Sequence, residues 1–194
     1  MNEQELHERI KRMCEGDEES FRQVYEHIKL HVYRTVSLLV RNPADVNDVV
    51  SEIFTELFRS MPNYRYNKPF RSWLNGLIIR QASSWNRSLW RSFRLLDRSK
   101  HLNVSEPSVN VDDHILQDEE HQFLINLIIK LPYKQKSVLI LRYFQDYSFE
   151  EMADMLNIPV GTVKSRHHSA IRTLRQKANL QDLIYPNKEG LLNV

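Results

Sequence analysis

Residues 148–166 read Ser148-Phe149-Glu150-Glu151-Met152-Ala153-Asp154-Met155-Leu156-Asn157-Ile158-Pro159-Val160-Gly161-Thr162-Val163-Lys164-Ser165-Arg166, the pattern of a helix, a tight turn and a second helix. Ser148 is placed to cap the first helix, and Glu151 three residues on completes a capping box. Met152, Met155 and Leu156 give that helix an apolar face. Asn157 tolerates the left-handed backbone a sharp turn requires, Ile158 closes the corner, and Pro159 sits where a first helical turn lacks hydrogen-bond partners. Ala153 is small enough for two steeply crossing helices to approach closely. The second helix then presents Thr162, Lys164, Ser165, Arg166 and His168, short polar and basic groups suited to base edges and phosphates. A helical hairpin with no nucleic-acid partner is the plain alternative.

Working outward, 194 residues with 41% hydrophobic side chains and only 4 Gly predict folded, mostly helical structure. The net charge of +2 is too small to argue for nucleic acid by itself. Its distribution is more telling. From Arg59 to Lys100 there are ten Lys or Arg and a single acid, Asp97, whereas Asn103 to His121 holds six acids and no Lys or Arg. The single cysteine, Cys14, excludes an internal disulfide and a multi-cysteine zinc site, and fits a reducing compartment. No apolar run approaches the roughly 20 residues of a membrane span, and Met1 to Arg12 is charged rather than signal-like. A cytoplasmic protein is expected, with no direct membrane insertion.

Gly16-Asp17 marks a helix start, after which Phe21, Val24, Tyr25, Ile28, Val32, Val36, Leu39 and Val40 recur at helical spacing. Asn42-Pro43 interrupts this run. Val46, Val49, Val50, Ile53, Leu57 and Phe58 make a second apolar stripe, and Trp73, Leu74, Leu77, Ile78 and Trp85 anchor a third helix after Pro69. These segments predict a first unit over 1–100. Residues 101–117 mix Pro, Ser, Asn and Asp without a sustained period and read as an acidic, flexible linker. A second unit, 118–180, carries Phe123, Leu124, Leu127, Ile128 and Leu131, then Val138, Leu139, Leu141 and Tyr143 after Pro132, then the helix-turn-helix. The tail, 181–194, is expected to fray. The fold class is therefore all-α, two small helical domains joined by a linker.

Asp45, Asp48, Glu52 and Glu56, at steps of three, four and four, form an acidic ridge opposite the apolar stripe of the second helix. It reads either as a solvated face or as a docking surface for a basic partner. Between Tyr64 and Phe93 aromatics alternate with cations: Tyr64, Arg65, Tyr66, Lys68, Phe70, Arg71, Trp73, Arg80, Trp85, Arg87, Trp90, Arg91 and Phe93. Cations track phosphates while aromatic faces hold unstacked bases, a mixture suited to single-stranded or melting DNA. Trp73 shares a stripe with Leu74 and Leu77 and belongs to the core; Tyr64 and Tyr66 are expected to be exposed. His167 and His168 point about 100° apart on a helix and do not share a metal ion. His167 falls on the inward stripe Val163, His167, Ala170, Leu174, and His168 faces out. No nucleophile constellation or Gly-rich phosphate loop is present, so no enzyme activity and no cofactor are expected.

The succession of an acidic and aromatic helical unit, a linker and a C-terminal helix-turn-helix resembles the extracytoplasmic-function sigma factors of bacterial RNA polymerase. Ala44 to Phe54, Phe70 to Leu74, Leu131-Pro132, Leu141 to Tyr143 and Ile158 to Arg166 carry the resemblance. It implies that the first unit, sigma region two, binds the clamp helices of the polymerase largest subunit through Asp45, Asp48, Glu52 and Glu56. The same unit would capture the melted minus-ten element with the stretch Tyr64, Arg65, Tyr66, Lys68, Phe70 and Arg71, and with Arg80, Ser84 and Arg87 on the following helix. The second unit, sigma region four, would meet the polymerase flap and read duplex minus-thirty-five DNA through Thr162, Lys164, Ser165, Arg166, His168, Ser169 and Arg172. Core RNA polymerase, promoter DNA and an anti-sigma factor are the implied partners.

Departures from the family pattern are Ser51 for a frequent Gln, Arg80 for Asn, Ser84 for Asp, Lys136 and Ser169 for Arg, and His167 for Leu. Arg80 and Ser84 bear on minus-ten preference, because an Arg only donates where Asn both donates and accepts. The acidic linker, with Asp112 and Asp113 and with Asp118 just after it, is expected to occupy a basic polymerase channel. Two other readings stand beside this one. A conventional helix-turn-helix regulator with a sensor domain would act without polymerase, and a histidine-containing metal or nucleic-acid-processing enzyme would need a bound ion. The basic aromatic block favours the sigma reading, since a sensor domain has no use for it.

Overall fold

The computed structural model describes the backbone of residues 1–97 and 119–184, and side chains over 1–89 and 123–178. All regular structure among the described residues is helical. The chain divides into two compact units, Met1–Pro107 and Ser108–Val194. The expected linker with Asp112 and Asp113, the adjoining Asp118, and the side chains of Trp90, Arg91 and Phe93 lie outside the described residues.

The first unit opens on α1 (Glu3–Cys14), which the sequence reading left unassigned. Asn2 and Glu5 form a reciprocal capping box at its start, with Glu5 N–H donating to Asn2 Oδ1 at 2.8 Å and Asn2 N–H donating to Glu5 Oε2 at 3.1 Å. Acids fill its first turn and Lys11 and Arg12 its last, each complementing the helix dipole. Leu6 and Ile10 bury its inner face. The chain leaves through Gly16 at φ +97°, a left-handed backbone that a side chain would strain. Asp17 then caps α2 (Glu18–Leu39), a single 22-residue helix.

Val24, Ile28, Val32 and Val36 repeat every fourth residue of α2, so one unbroken stripe is buried along it. The helix stops at Val40, and Asn42 caps a short 3₁₀ turn, Pro43–Asp45, by accepting from Ala44 N–H. In α3 (Val46–Ser60) the buried positions Val46, Val49, Ile53 and Leu57 follow the expected stripe. A second 3₁₀ turn, Met61–Asn63, leads into a loop and then α4 (Phe70–Asp97). Helix α1 packs on α2, which in turn packs on α3 and α4, while α3 also packs on α4. Ile10, Leu39, Ile53, Leu57, Met61, Phe70, Leu74 and Ile78 are all but fully enclosed in this core.

The second unit comprises α5 (Glu119–Ile129), α6 (Tyr133–Leu139), α7 (Phe149–Leu156) and α8 (Val160–Ile184). Pro132, which cannot donate to a preceding turn, stands at the start of α6. A π-helical turn over Ile140–Phe144 follows α6, and the chain then reverses through Asp146 at φ 60°. Leu127, Ile128, Leu131, Leu139, Ala170 and Leu174 form a core that Phe123, Ile171 and Ala178 close. Two expected core residues of this unit are on the surface instead, Leu124 at 41% and Tyr143 at 61% exposure, as are Phe21 and Tyr25 on α2 of the first unit. The wider π winding places Ile140 and Leu141 inward and leaves Tyr143 and Phe144 outside. Helix α8 also runs on to Ile184, into the stretch expected as tail.

Candidate nucleic-acid interface

The caps and the turn expected in residues 148–166 have geometric counterparts. The Ser148 hydroxyl accepts from Glu151 N–H at 3.2 Å, and the Glu151 carboxylate accepts from Ser148 N–H at 2.8 Å. Those bonds to Ser148 hold the Glu151 carboxyl below its ordinary range. Asn157 adopts φ 52°, ψ 52°, and around it Ile158 N–H donates to Ala153 O and Asn157 N–H to Asp154 O. This is a Schellman arrangement with Asn in the place Gly usually takes. The Pro159 carbonyl accepts from Thr162 and Val163, which starts α8. Ala153 is buried, and α7 packs on α8.

Val163, Ala170 and Leu174 turn inward on α8. Lys164, Ser165, His168 and Arg172 are exposed, whereas Thr162 and Arg166 are half-buried. Lys164 lies 5.9 Å from the centroid of Phe149, with Nζ 3.9 Å from Glu150 Oε1. Ser169, expected among the DNA contacts, is half-buried and accepts from Gln135 Nε2 at 2.9 Å, which ties α6 to α8. His167 is half-buried, as its stripe requires, and His168 is exposed. Where the family pattern has Arg, Lys136 is buried at 3% exposure, with Nζ 3.3 Å from the carbonyl of Ile129 near the end of α5.

In the first unit the acidic ridge divides. Asp48 and Glu52 are exposed, with no cation paired to either among the described residues. Glu56 is half-buried and bridges to Arg59 at 3.3 Å, while Asp45 accepts from the Trp85 indole at 3.4 Å and from Asn42 Nδ2 at 3.2 Å. Arg80, Ser84 and Arg87, four and three residues apart, lie exposed along one face of α4. Partial desolvation draws Arg80 down from its ordinary value, and the charge of Glu56 opposes this.

The loop before α4 departs from expectation. Tyr64 is only 5% exposed and Phe70 only 1%, so neither ring presents a free face to a base; both belong to the core. Arg65, Tyr66, Lys68 and Arg71 are exposed. Tyr64 Oη–H donates to the Lys68 carbonyl at 2.6 Å, which draws the loop closed. Burial, with help from the charge of Glu3, pushes the Tyr64 hydroxyl up to about 12, so it remains a donor at neutral pH.

Helix α1 reaches the same loop, a connection the sequence reading missed. Phe70 N–H donates to Glu3 Oε1 at 2.6 Å, and His7 Nε2 lies 3.0 Å from the same oxygen and 2.8 Å from Tyr64 Oη. An ionised carboxylate only accepts and the Tyr64 proton is committed to Lys68, so Nε2 of His7 carries a proton. The edge of Tyr66 meets His7 at 82° and 5.2 Å, and the Lys11 ammonium lies 5.1 Å from the Tyr66 ring centre. Glu3, His7 and Lys11 stand four residues apart on one face of α1, a spacing visible in the sequence beside the Asn2–Glu5 capping box.

Residues 24–92 match sigma-70 region 2, and residues 127–176 match sigma-70, region 4. The ECF RNA polymerase sigma factor SigW of Bacillus subtilis is 26% identical over 185 residues, 92% of this chain and 98% of that protein. The RNA polymerase sigma factor SigV of the same organism is 28% identical over 155 residues, covering 80% and 89% of the two chains. Among solved structures, the sigma factor RpoE in complex with the anti-sigma factor NepR from Bartonella quintana has a TM-score of 0.62 at 18% identity, covering 80% of this chain and 94% of that one. CnrH, in complex with the cytosolic domain of CnrY, has a TM-score of 0.60 at 19% identity, covering 89% and 96%. These likenesses carry the fold. Two regions of one family span more than half of the chain between them, and the chain belongs to the extracytoplasmic-function sigma factors of the sigma-70 family.

Proposed function

We propose that this sigma factor, which binds core RNA polymerase and directs promoter-specific initiation, divides its work between two faces of unlike charge. Asp48 and Glu52 dock the first unit on the polymerase clamp helices, and Asp45 and Glu56 support that face from their ties to Trp85 and Arg59. Arg65, Tyr66, Lys68 and Arg71 capture the melted minus-ten strand, and Arg80, Ser84 and Arg87 track it along α4. Tyr66 is the exposed ring on which an unstacked base can lie. In the second unit Thr162, Lys164, Ser165, Arg166, His168 and Arg172 meet duplex minus-thirty-five DNA through base edges and phosphates. The polymerase supplies the chemistry, and the chain acts beside it in the cytoplasm. Among the described residues no helix is long and apolar enough to cross a membrane.

The observation that carries this reading is the presence of both sigma regions, in order, on one chain. A regulator that works without polymerase has no need of the first. The relative from Bartonella quintana was solved with an anti-sigma factor, and we infer a partner of that kind here. Run-off transcription with purified core polymerase on genomic fragments tests the assignment. New start sites that depend on this chain are expected; none, together with a footprint on promoter DNA in the absence of polymerase, would favour the regulator.

A further inference from the structure

Helix α1 lies before the residues matched to sigma region 2, yet one stripe of it grips the loop between Tyr64 and Phe70. We propose that α1 is the positioning element for minus-ten capture, with Glu3 and His7 fixing the two ends of this loop and His7 and Lys11 aiming the ring of Tyr66. The inference rests on the reading of that loop as the base-capturing one.

Four consecutive exposed residues, Arg65 to Lys68, lie between Tyr64 and Pro69. A segment of this kind loses conformational freedom when it closes on a ligand, and that loss weakens binding unless the loop is held in place beforehand. Three contacts do the holding. The Glu3 carboxylate accepts the Phe70 N–H at the start of α4, where the helix dipole also favours a negative charge. His7 meets the Tyr64 hydroxyl, which itself spans the loop to the Lys68 carbonyl. The exposed Tyr66 ring, 39% accessible, is steadied by the His7 ring on its flank and by the Lys11 ammonium.

Packing of α1 on the core does not account for this stripe. Leu6 and Ile10 perform that task from another face of the helix. Glu3, His7 and Lys11 are turned to the loop, and Lys11 is itself exposed.

The test uses holoenzyme assembled from the full chain and core polymerase, with a single-stranded oligonucleotide carrying the minus-ten element of a promoter mapped by run-off transcription. His7→Ala should weaken strand binding about fivefold, the ratio one net hydrogen bond is worth. Lys11→Gln should weaken it roughly threefold, as loss of an exposed cation–ring contact does. Affinity for core polymerase should stay unchanged in both. If His7 acts through Tyr64, the double variant His7→Ala/Tyr64→Phe will bind no more weakly than the worse single variant. Unaltered strand binding in Lys11→Gln and His7→Ala, or fully additive losses in the double variant, overturns the proposal. If His7→Ala loses core affinity, Lys11→Gln decides the matter, since its side chain is outside the core. Tyr66→Ala and Lys68→Ala separate the two levels: strand binding lost in these but kept in the α1 variants refutes only the positioning role. Strand binding kept in all four refutes the loop's role in base capture.

Discussion

Nε2 of His167 lies 3.1 Å from the hydroxyl of Tyr143, and the two rings stack at 28° with centroids 5.8 Å apart. Phe149 closes the group edge-on, 5.2 Å from His167. One histidine thus joins the π-helical turn, the start of α7 and the recognition helix α8. Burial draws it below its ordinary range, and the charges of Arg142 and His168 act in the same direction.

A pH dependence follows. The folded protein holds His167 neutral under conditions in which the unfolded chain binds a proton, so the unfolded state gains protons first as pH falls through about 6.5. Stability conferred by the neutral ring is complete above that value and declines below it. His31 in the first unit behaves alike: burial lowers it, Arg71 adds to this, and its bond to Asn75 at 2.7 Å only partly offsets both. Urea midpoints measured from about pH 7.5 to about pH 5 should therefore fall. His167→Leu should flatten the slope of the second unit and leave that of the first; an unchanged slope in this variant would count against the assignment.

Lys136 is a second local test. Its ammonium is buried against the Ile129 carbonyl, where a cation also complements the end of α5. Lys136→Met retains most of the apolar stem and removes the donor, and should destabilise the second unit by about 2 kcal/mol, the cost of leaving a buried acceptor unpaired. Denaturant unfolding with a probe in each unit measures this. Equal loss in both units would show that the effect is not local.

On the recognition helix, Lys164 stands beside Glu150 across a 3.9 Å gap with both side chains exposed. Lys164→Ala should weaken DNA binding across sequences and lower the salt slope by about 1, as loss of a phosphate contact does. Glu150→Gln should do the reverse and tighten binding at low salt, because an acid near the phosphates is removed. Fluorescence anisotropy over a salt series separates the two; a change in preference at one base pair would make Lys164 a base reader.

Polymerase docking should follow the division of the acidic ridge. Glu52→Lys should reduce affinity for core polymerase and leave duplex affinity of the second unit intact. Glu56→Gln should have a smaller effect on docking, since that carboxylate is half-buried and already engaged by Arg59. Pull-down or calorimetry with core polymerase ranks the two, and an equal or inverted ranking would shift the docking face toward Arg59 and the end of α3.

Legibility in the sequence varied with the range of the interactions involved. The helix-turn-helix could be read because its determinants are local: Ser148 and Glu151 are three residues apart, and the strain at Asn157 is a property of one residue. The stripes of α2, α3 and α4 were legible for the same reason. Tyr64 was misplaced because a polar neighbourhood suggested exposure, whereas its ring is enclosed by chain from elsewhere, including His7 more than fifty residues away. Tyr143 escaped because periodicity assumes uniform winding, and Tyr143 lies within the π turn, where the register changes.

The support that α1 gives the loop has a bearing on how the gene is read and expressed. Met13 is an internal methionine one residue before the end of that helix. Translation begun there would yield a chain with α3, α4 and α8 complete but without Glu3, His7 and Lys11. An affinity tag fused ahead of Asn2 adjoins the same capping box. Choice of start codon and of tag position thus acts on the loop that we propose captures the minus-ten strand.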